Sequence, residues 1–210
     1  MFTNLFLASS SKTRQLLLTE AGIPFEILTN TCTPEPFEQT LGLKENVQAA
    51  AFCKATHVDL PYKTPMVAPI IYVITADTLI TAHNGAILQK PHNLEHAKEQ
   101  LTLLSAGPCT VGTSCVVQKF KWNTKKGWKL LKTKHIYSKS TAEFYVPQES
   151  FNEYFSRLPI ALYVCGAGIM EGFGSQFLKK FHGSYSGTLG LPLSETKKAL
   201  QDLGWLRISS

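Results

Sequence analysis

The serines of the segment LFLASSSKTRQLL stand where an apolar run, Leu5-Phe6-Leu7-Ala8, gives way to the leucines of a helix. A helix N-terminus presents unpaired backbone N–H groups and about half a positive charge, and phosphate binds there readily. Hydroxyls of Ser9 and Ser11 add donors, and Arg14, one turn in, adds a planar cationic fork. The same residues also read as a plain serine cap beside a solvated arginine. A second candidate is Asp77 in YVITADTLIT, a carboxylate among Val73, Ile74, Ala76, Leu79 and Ile80. Such an acid is costly unless paired, metal-bound or solvated in a cleft. At a strand end it can hold Mg²⁺ or orient an attacking water, or it can be a structural residue opening a hairpin. Lys90 in ILQKP follows that hairpin and comes close to Asp77 if Thr78–Ala82 pairs with Ala86–Gln89. There it could neutralise a polyphosphate, although a lysine taken alone reads as a surface residue.

Two other patterns carry less. His92-Asn93-Leu94-Glu95-His96 spells H-x-x-E-H, a zinc pattern that needs both histidines on one helical face. Pro91 precedes it and Asn93 reads as the helix cap, which leaves His92 outside. Gly166-Ala167-Gly168-Ile169-Met170-Glu171 resembles a dinucleotide loop but ends in glutamate with no helical pattern after it. No G-x-x-x-x-G-K-[ST] is present, so the chain is not a P-loop enzyme.

The elements that must position these residues follow from period and punctuation. A strand over Asn4–Ala8 leads to a helix over Ser11–Ala21, ended by Gly22 and Pro24. Phe25–Thr29 reads as a second strand, 30–42 as a loop, and Glu45–Val58 as a helix carrying Lys54. Pro61, Pro65 and Pro69 mark a rigid loop before a buried strand, Ile70–Ile74. Asn84-Gly85 signals a tight hairpin between Thr78–Ala82 and Ala86–Gln89. A helix from Asn93 to Ser105, β-rich stretches at 109–121 and 128–146, a short helix Gln148–Leu158, a glycine-rich tract at 162–192 and a helix Ser194–Leu203 complete the chain. Strands and helices interleave, so the expected class is α/β with a mixed sheet.

The totals set bounds. At 210 residues with 44% apolar content the chain is long enough for a large core and is not disordered. No membrane-length apolar run and no secretory pattern are read, which gives an expectation of a cytoplasmic protein. The net charge of +6 suits an anionic partner. Seven lysines between Lys119 and Lys134 bracket a hairpin tip at 123–127, which reads as a solvated hairpin or as a nucleic-acid surface. The five cysteines are odd in number with no C-x-x-C pair, which predicts reduced, mostly buried thiols.

Taken together, ASSSKTR, ITADTLI before an N-G hairpin, ILQKP after it and HGSYSGTLGLPLSETKKAL near the end resemble the Maf family from about Leu5 to Leu203. Members are nucleoside triphosphate pyrophosphatases, also called septum formation inhibitors. The resemblance implies one domain over 1–206, a mixed twisted sheet with flanking helices, and two lobes around a central cleft. It implies release of pyrophosphate from a nucleoside triphosphate with a divalent cation, Mg²⁺ or Mn²⁺. By the same resemblance Asp77 is the proton acceptor and, with Glu35, a metal ligand, while Ser9, Ser11, Arg14, Lys54 and Lys90 hold phosphates. The expected partner is a nucleoside triphosphate rather than nucleic acid or membrane, and a homodimer is compatible with this reading.

This chain also departs from the family pattern. An acidic D-x-D-E-like segment is replaced by Asn30-Thr31-Cys32-Thr33-Pro34-Glu35, leaving Glu35 to serve. The S-G-R-x-H segment of the commonest subfamily is replaced by Ser105-Ala106-Gly107-Pro108-Cys109, and G-I-Q-G by Met170-Glu171-Gly172. Glu171 resembles the subfamily acting on 7-methyl-GTP, where a carboxylate can accept from a guanine edge. Thr13 stands where that subfamily has tryptophan, and Thr78 resembles the pyrimidine-selective type, so dTTP or UTP is the other expectation. The rival from another class is a non-catalytic nucleotide-binding regulator of cell division with the same fold.

Overall fold

A computed structural model describes residues 4–33, 35–62 and 68–205. In chain order the elements are β1 (Leu5–Leu7), α1 (Lys12–Glu20), β2 (Glu26–Ile27), α2 (Leu43–Thr56), β3 (Ile70–Thr81) and β4 (Ile87–Leu88). Then follow α3 (Leu94–Ser105), β5 (Cys109–Asn123), β6 (Gly127–Phe144), α4 (Phe151–Arg157), β7 (Leu178–His182), α5 (Tyr185–Thr188) and α6 (Leu193–Asp202). The seven strands pair in the order β2-β1-β3-β5-β6-β7, with β4 on β3. β1 is parallel to both β2 and β3, whereas β3–β4 and β6–β7 are antiparallel. The expected α/β class with a mixed sheet and flanking helices therefore holds.

The residues divide into two compact units. The first comprises 1–77, 113–137 and 189–210, and the second 78–112 and 138–188. β3, β5 and β6 each contribute to both.

In the first unit β1 and β3 are buried on both faces, which explains their unbroken apolar runs. Leu5, Leu7, Tyr72, Ile74 and Ala76 pack with Leu17 and Leu18 of α1 and Ala199 and Leu200 of α6. Phe6, Ala8, Ile71, Val73 and Phe120 form a separate cluster. The two-residue period of a strand puts Thr75 and Asp77 on the same side as Ile71 and Val73. α2 covers that side at Thr75, whose hydroxyl donates to the Ala51 carbonyl at 3.3 Å. Ala51 and Ala55 also pack on Val116 of β5. Small residues on this face of α2 let its backbone come near the sheet.

The second unit is built on α3, whose Ala97, Leu101 and Leu104 recur at helical spacing and are fully buried. They meet Ile80, Leu88, Phe144, Tyr154 and Phe155. Tyr154 donates its hydroxyl to the Ala167 carbonyl at 2.9 Å and accepts from the Ile169 N–H at 2.8 Å. Burial pushes this phenol well above its usual range. Gly166, at φ 72°, belongs to this packing rather than to a nucleotide loop. A Cβ there would lie 2.8 Å from Ile80 Cγ2 and 3.0 Å from Leu104 Cδ1.

Two expectations change, and one tract gains elements that its composition left unassigned. The strand at Ile70–Ile74 and the first arm of the hairpin are one continuous strand, β3, because Thr75 suits a pleated strand, Ala76 buries on it and Asp77 is paired there with Lys54. The glycine-rich tract contains 3₁₀ turns, β7 and the short α5, elements whose register depends on tertiary partners. The cysteines are not all reduced: Cys32 and Cys53 form a disulfide with Cα atoms 5.8 Å apart, and Cys109, Cys115 and Cys165 stay outside it. Twenty-one residues separate the pair, so only the folded path of the 30–42 loop over α2 brings them together. The thiol inventory therefore gives no argument for a reducing compartment. Among the described residues no helix is long and apolar enough to cross a membrane.

Candidate active site

Lys54 is the centre of the first unit's polar interior. It lies on the buried face of α2, and its Nζ is 2.6 Å from Asp77 Oδ1 and 2.9 Å from Glu35 Oε2. The Lys54 and Asp77 side chains are about one-tenth exposed, that of Glu35 is 42% exposed. Asp77 is held inside by strand parity, Lys54 by helical spacing with Val47, Ala50 and Ala51, and Glu35 reaches them from the loop before α2. Taking one ammonium and one carboxylate out of water costs several kcal/mol per ion unless they meet each other with good geometry. The short Lys54–Asp77 contact supplies that geometry, and Glu35 adds a second, wetter anion.

The loop bearing Glu35 is organised at its far end by Asn46, which is 1% exposed. Its Oδ1 accepts from the Glu38 N–H at 2.8 Å, and its Nδ2 donates to the Glu38, Leu41 and Gly42 carbonyls at 2.9, 3.0 and 3.2 Å. Nothing in the sequence pattern marks this asparagine, because its partners lie in a stretch without period.

The serine turn is built as a cap with an arginine folded into it. Ser11 Oγ accepts from the Arg14 N–H at 3.4 Å, and Ser9 Oγ accepts from the Ser11 N–H at 3.2 Å. Arg14 is only 9% exposed. Its Nη1 donates to Ser9 Oγ at 3.2 Å and its Nε to the Gly190 carbonyl at 2.8 Å. The solvated-arginine reading is thus corrected: the side chain is buried among acceptors that include a carbonyl 176 residues away. Asn30 Nδ2, from the strand side, donates to the Ala8 carbonyl at 3.0 Å. Thr13 is half-buried beside this turn.

Thr78, Lys90 and Glu171 belong to the second unit. Thr78 directly follows Asp77 on β3 and is half-buried, and Lys90 is exposed, two residues past Leu88, which pairs with Ile80. Asp77 lies within β3 rather than at a strand end, a correction that follows from the strand's continuity. Glu171 Oε2 accepts from the Met170 N–H at 3.1 Å, and burial raises its pKa above the ordinary carboxylate range.

The remaining patterns resolve locally. Asn93 caps α3, its Oδ1 accepting from the His96 N–H at 2.8 Å, and His92 stays outside the helix. Among the described residues no group of three or more His, Cys, Asp or Glu side chains could hold a metal. The lysine-rich hairpin turns at Asn123, whose Oδ1 accepts from the Lys125 and Lys126 N–H groups at 2.9 and 3.0 Å. Lys119 is used structurally, donating to the Leu203 carbonyl at 2.7 Å.

A buried lysine joining a strand acid to a loop acid, in the same unit as an arginine-backed serine turn, is a cation-rich setting with carboxylates at hand. Residues 4–203 match the family described as Maf-like protein. The chain belongs to this family. Among curated relatives, a dTTP/UTP pyrophosphatase of Idiomarina loihiensis is 33% identical over 202 residues, covering 94% of this chain and 93% of its own. One from Geobacillus sp. is 32% identical over 203 residues, covering 96% and 98%, and one from Neisseria gonorrhoeae is 29% identical over 211 residues, covering 96% and 94%. The Maf-like assignment thus spans both units of the chain, and the catalytic alternative is favoured over a regulator that has lost its chemistry.

Two outcomes follow from the geometry. Arg14→Lys keeps the charge but loses the fork, leaving the buried Gly190 carbonyl short of a donor, so urea unfolding should register a loss of about 1–3 kcal/mol. Glu171 has a raised folded pKa, so its contribution favours folding at low pH and is lost as pH rises through that raised value. Glu171→Gln should therefore leave Tm unchanged near about pH 4 and raise it near about pH 8; equal shifts at both would contradict the burial argument.

Proposed function

We infer that this Maf-family chain is a nucleoside triphosphate pyrophosphatase, an acid-anhydride hydrolase that converts a nucleoside triphosphate to the monophosphate and pyrophosphate, and that dTTP and UTP are its preferred substrates. The observation that carries the reading is the buried Lys54 held between Asp77 and Glu35. The functional domain is taken as 1–206.

Hydrolysis breaks the bond between the α-phosphorus and the α,β-bridging oxygen, with water attacking and charge growing on the leaving pyrophosphate. Asp77, on the continuous strand β3, accepts the proton of the attacking water. Lys54, already desolvated, turns toward phosphate oxygens and stabilises the growing charge. Ser9, Ser11 and the N–H groups opening α1 bind phosphate oxygens, with Arg14 fixing the turn and adding positive charge. Lys90 adds a further cation toward the polyphosphate.

Glu35 and Asp77 fit a divalent cation, Mg²⁺ or Mn²⁺: their carboxylates converge on one ammonium, and such an ion is commonly held by one or two carboxylates plus substrate phosphates. When bound it would supply charge neutralisation at the phosphate oxygens.

Two features support the pyrimidine preference. The relatives described above are named for dTTP and UTP, and Thr78 follows the strand acid as in the pyrimidine-selective type. Glu171 favours 7-methyl-GTP less than its sequence suggests, because its carboxylate already accepts from the Met170 N–H.

Pyrophosphate release should be measured on a panel of dTTP, UTP, CTP, GTP and 7-methyl-GTP, with Mg²⁺ and with Mn²⁺. The expected result is fastest turnover of dTTP and UTP. Asp77→Asn should lower that turnover by about 100-fold or more while circular dichroism stays that of a folded chain. Undiminished turnover would remove Asp77 from the chemistry, and preference for 7-methyl-GTP would overturn the specificity.

A further inference from the structure

The Cys32–Cys53 bridge is built into the loop and helix that carry the proposed catalytic acid and lysine. Cys53 immediately precedes Lys54 on α2, and Cys32 lies three residues before Glu35. Residues 33 and 35–37 are all exposed. Among the described residues, the covalent and ionic attachments of 32–37 to α2 are the bridge and the Glu35–Lys54 ion pair. On either side the backbone is fixed by other means. Thr31 N–H donates to the His57 carbonyl at 2.9 Å with Asn30 bridged to Val58, and Asn46 gathers Glu38 to Gly42. The stretch holding Glu35 is therefore a span between two anchors, tied at one point along its length by a bond that can be broken reversibly.

We propose that the Cys32–Cys53 disulfide is a thiol-responsive positioning element that holds Glu35 against Lys54 and so completes the two-carboxylate cation site. A half-exposed ion pair is a weak tether by itself. With the bridge intact, Cys32 limits how far Glu35 can move from Lys54. With the bridge opened, the span gains conformational freedom and Glu35 spends less time beside Asp77. This inference rests on the pyrophosphatase reading for its consequence, though not for the bridge itself.

The chemistry balances with a dithiol as reductant. Cys32 is 5% exposed and Cys53 is half-buried between the exposed Phe52 and Thr56, so Cys53 Sγ is the accessible sulfur. A thiolate of the dithiol attacks Cys53 Sγ, forming a mixed disulfide and expelling the Cys32 thiolate, which takes a proton from water. The second thiol of the reductant then displaces Cys53 and closes its own disulfide. Two electrons and two protons pass from the dithiol to the protein. Cys109 and Cys115 do not compete: burial pushes their thiols up to about 11 and about 12, which keeps them neutral and unreactive near neutrality.

The test uses the full chain, oxidised and after mild dithiol treatment, with Mn²⁺ as the probe. Native thiol titration should rise by two groups per chain on reduction. Amide hydrogen exchange should accelerate over 32–37 while α2 stays protected. Mn²⁺ affinity should weaken by about 10-fold, the scale at which supporting contacts act on a metal site. The metal concentration for half-maximal pyrophosphate release should rise in parallel, with kcat at saturating metal within about 2-fold of the oxidised enzyme. Cys53→Ser should reproduce the weak Mn²⁺ binding and lose its response to dithiol. Unchanged Mn²⁺ affinity and exchange after the two thiols appear, or no new thiols at all, would overturn the proposal. An oxidised protein that binds Mn²⁺ tightly but releases no pyrophosphate would sink the pyrophosphatase reading and leave the positional claim standing.

Discussion

A single ammonium group, Lys54 Nζ, is shared by an acid on a central strand and an acid on a loop, and the first unit is arranged to make that tolerable. A buried charge without a partner is among the costliest features a fold can carry. Lys54 reaches Asp77 only because α2 turns small residues, Ala51 and Ala55, toward the sheet and lies close to it. Asp77 reaches Lys54 only because β3 runs through without a break and keeps its side-chain alternation from Ile71 onward. The apolar packing of Leu5, Leu7, Tyr72 and Ile74 on the opposite face holds the strand in that register, each fully buried leucine being worth about 1.5–3 kcal/mol.

The serine turn uses the same economy of means in a different geometry. Its arginine is buried, and Ser9 Oγ and the Gly190 carbonyl accept hydrogen bonds from its guanidinium. These contacts fix a guanidinium at the start of α1. Near Lys54 two carboxylates are present, and a divalent cation or a phosphate arriving there must redistribute existing ion pairs. A polyphosphate with its metal matches that combination better than either a bare anion or a bare cation.

How much was legible in the sequence divides along the range of the interactions. Ser11 as the cap of α1, Asn93 as the cap of α3, the turn at Asn84-Gly85 and the hairpin at Asn123–Gly127 are local in cause, and each is found where its residues predict. Family motifs pointed to Asp77, Lys54, Arg14 and Glu35, and the first three are buried in one unit with Glu35 tied to Lys54. What could not be read were contacts whose partners are distant and unmarked: Gly190 under Arg14, Asn46 over the 38–42 loop, and the Cys32–Cys53 bridge. The break wrongly expected between Ile74 and Thr78 came from treating an acid as punctuation, when a paired acid can sit inside a strand.

The most direct measurement of the central claim is a double-mutant cycle on Lys54 and Asp77, read by urea unfolding in the absence of divalent metal. Lys54→Met and Asp77→Asn should each be costly, because each strands the other's charge in the interior. The double variant should then be more stable than the sum of the two losses predicts, by about 1–3 kcal/mol. Losses that add to within about 0.5 kcal/mol would mean that the two groups do not depend on each other, and the ion pair would no longer be the constraint around which this site is built.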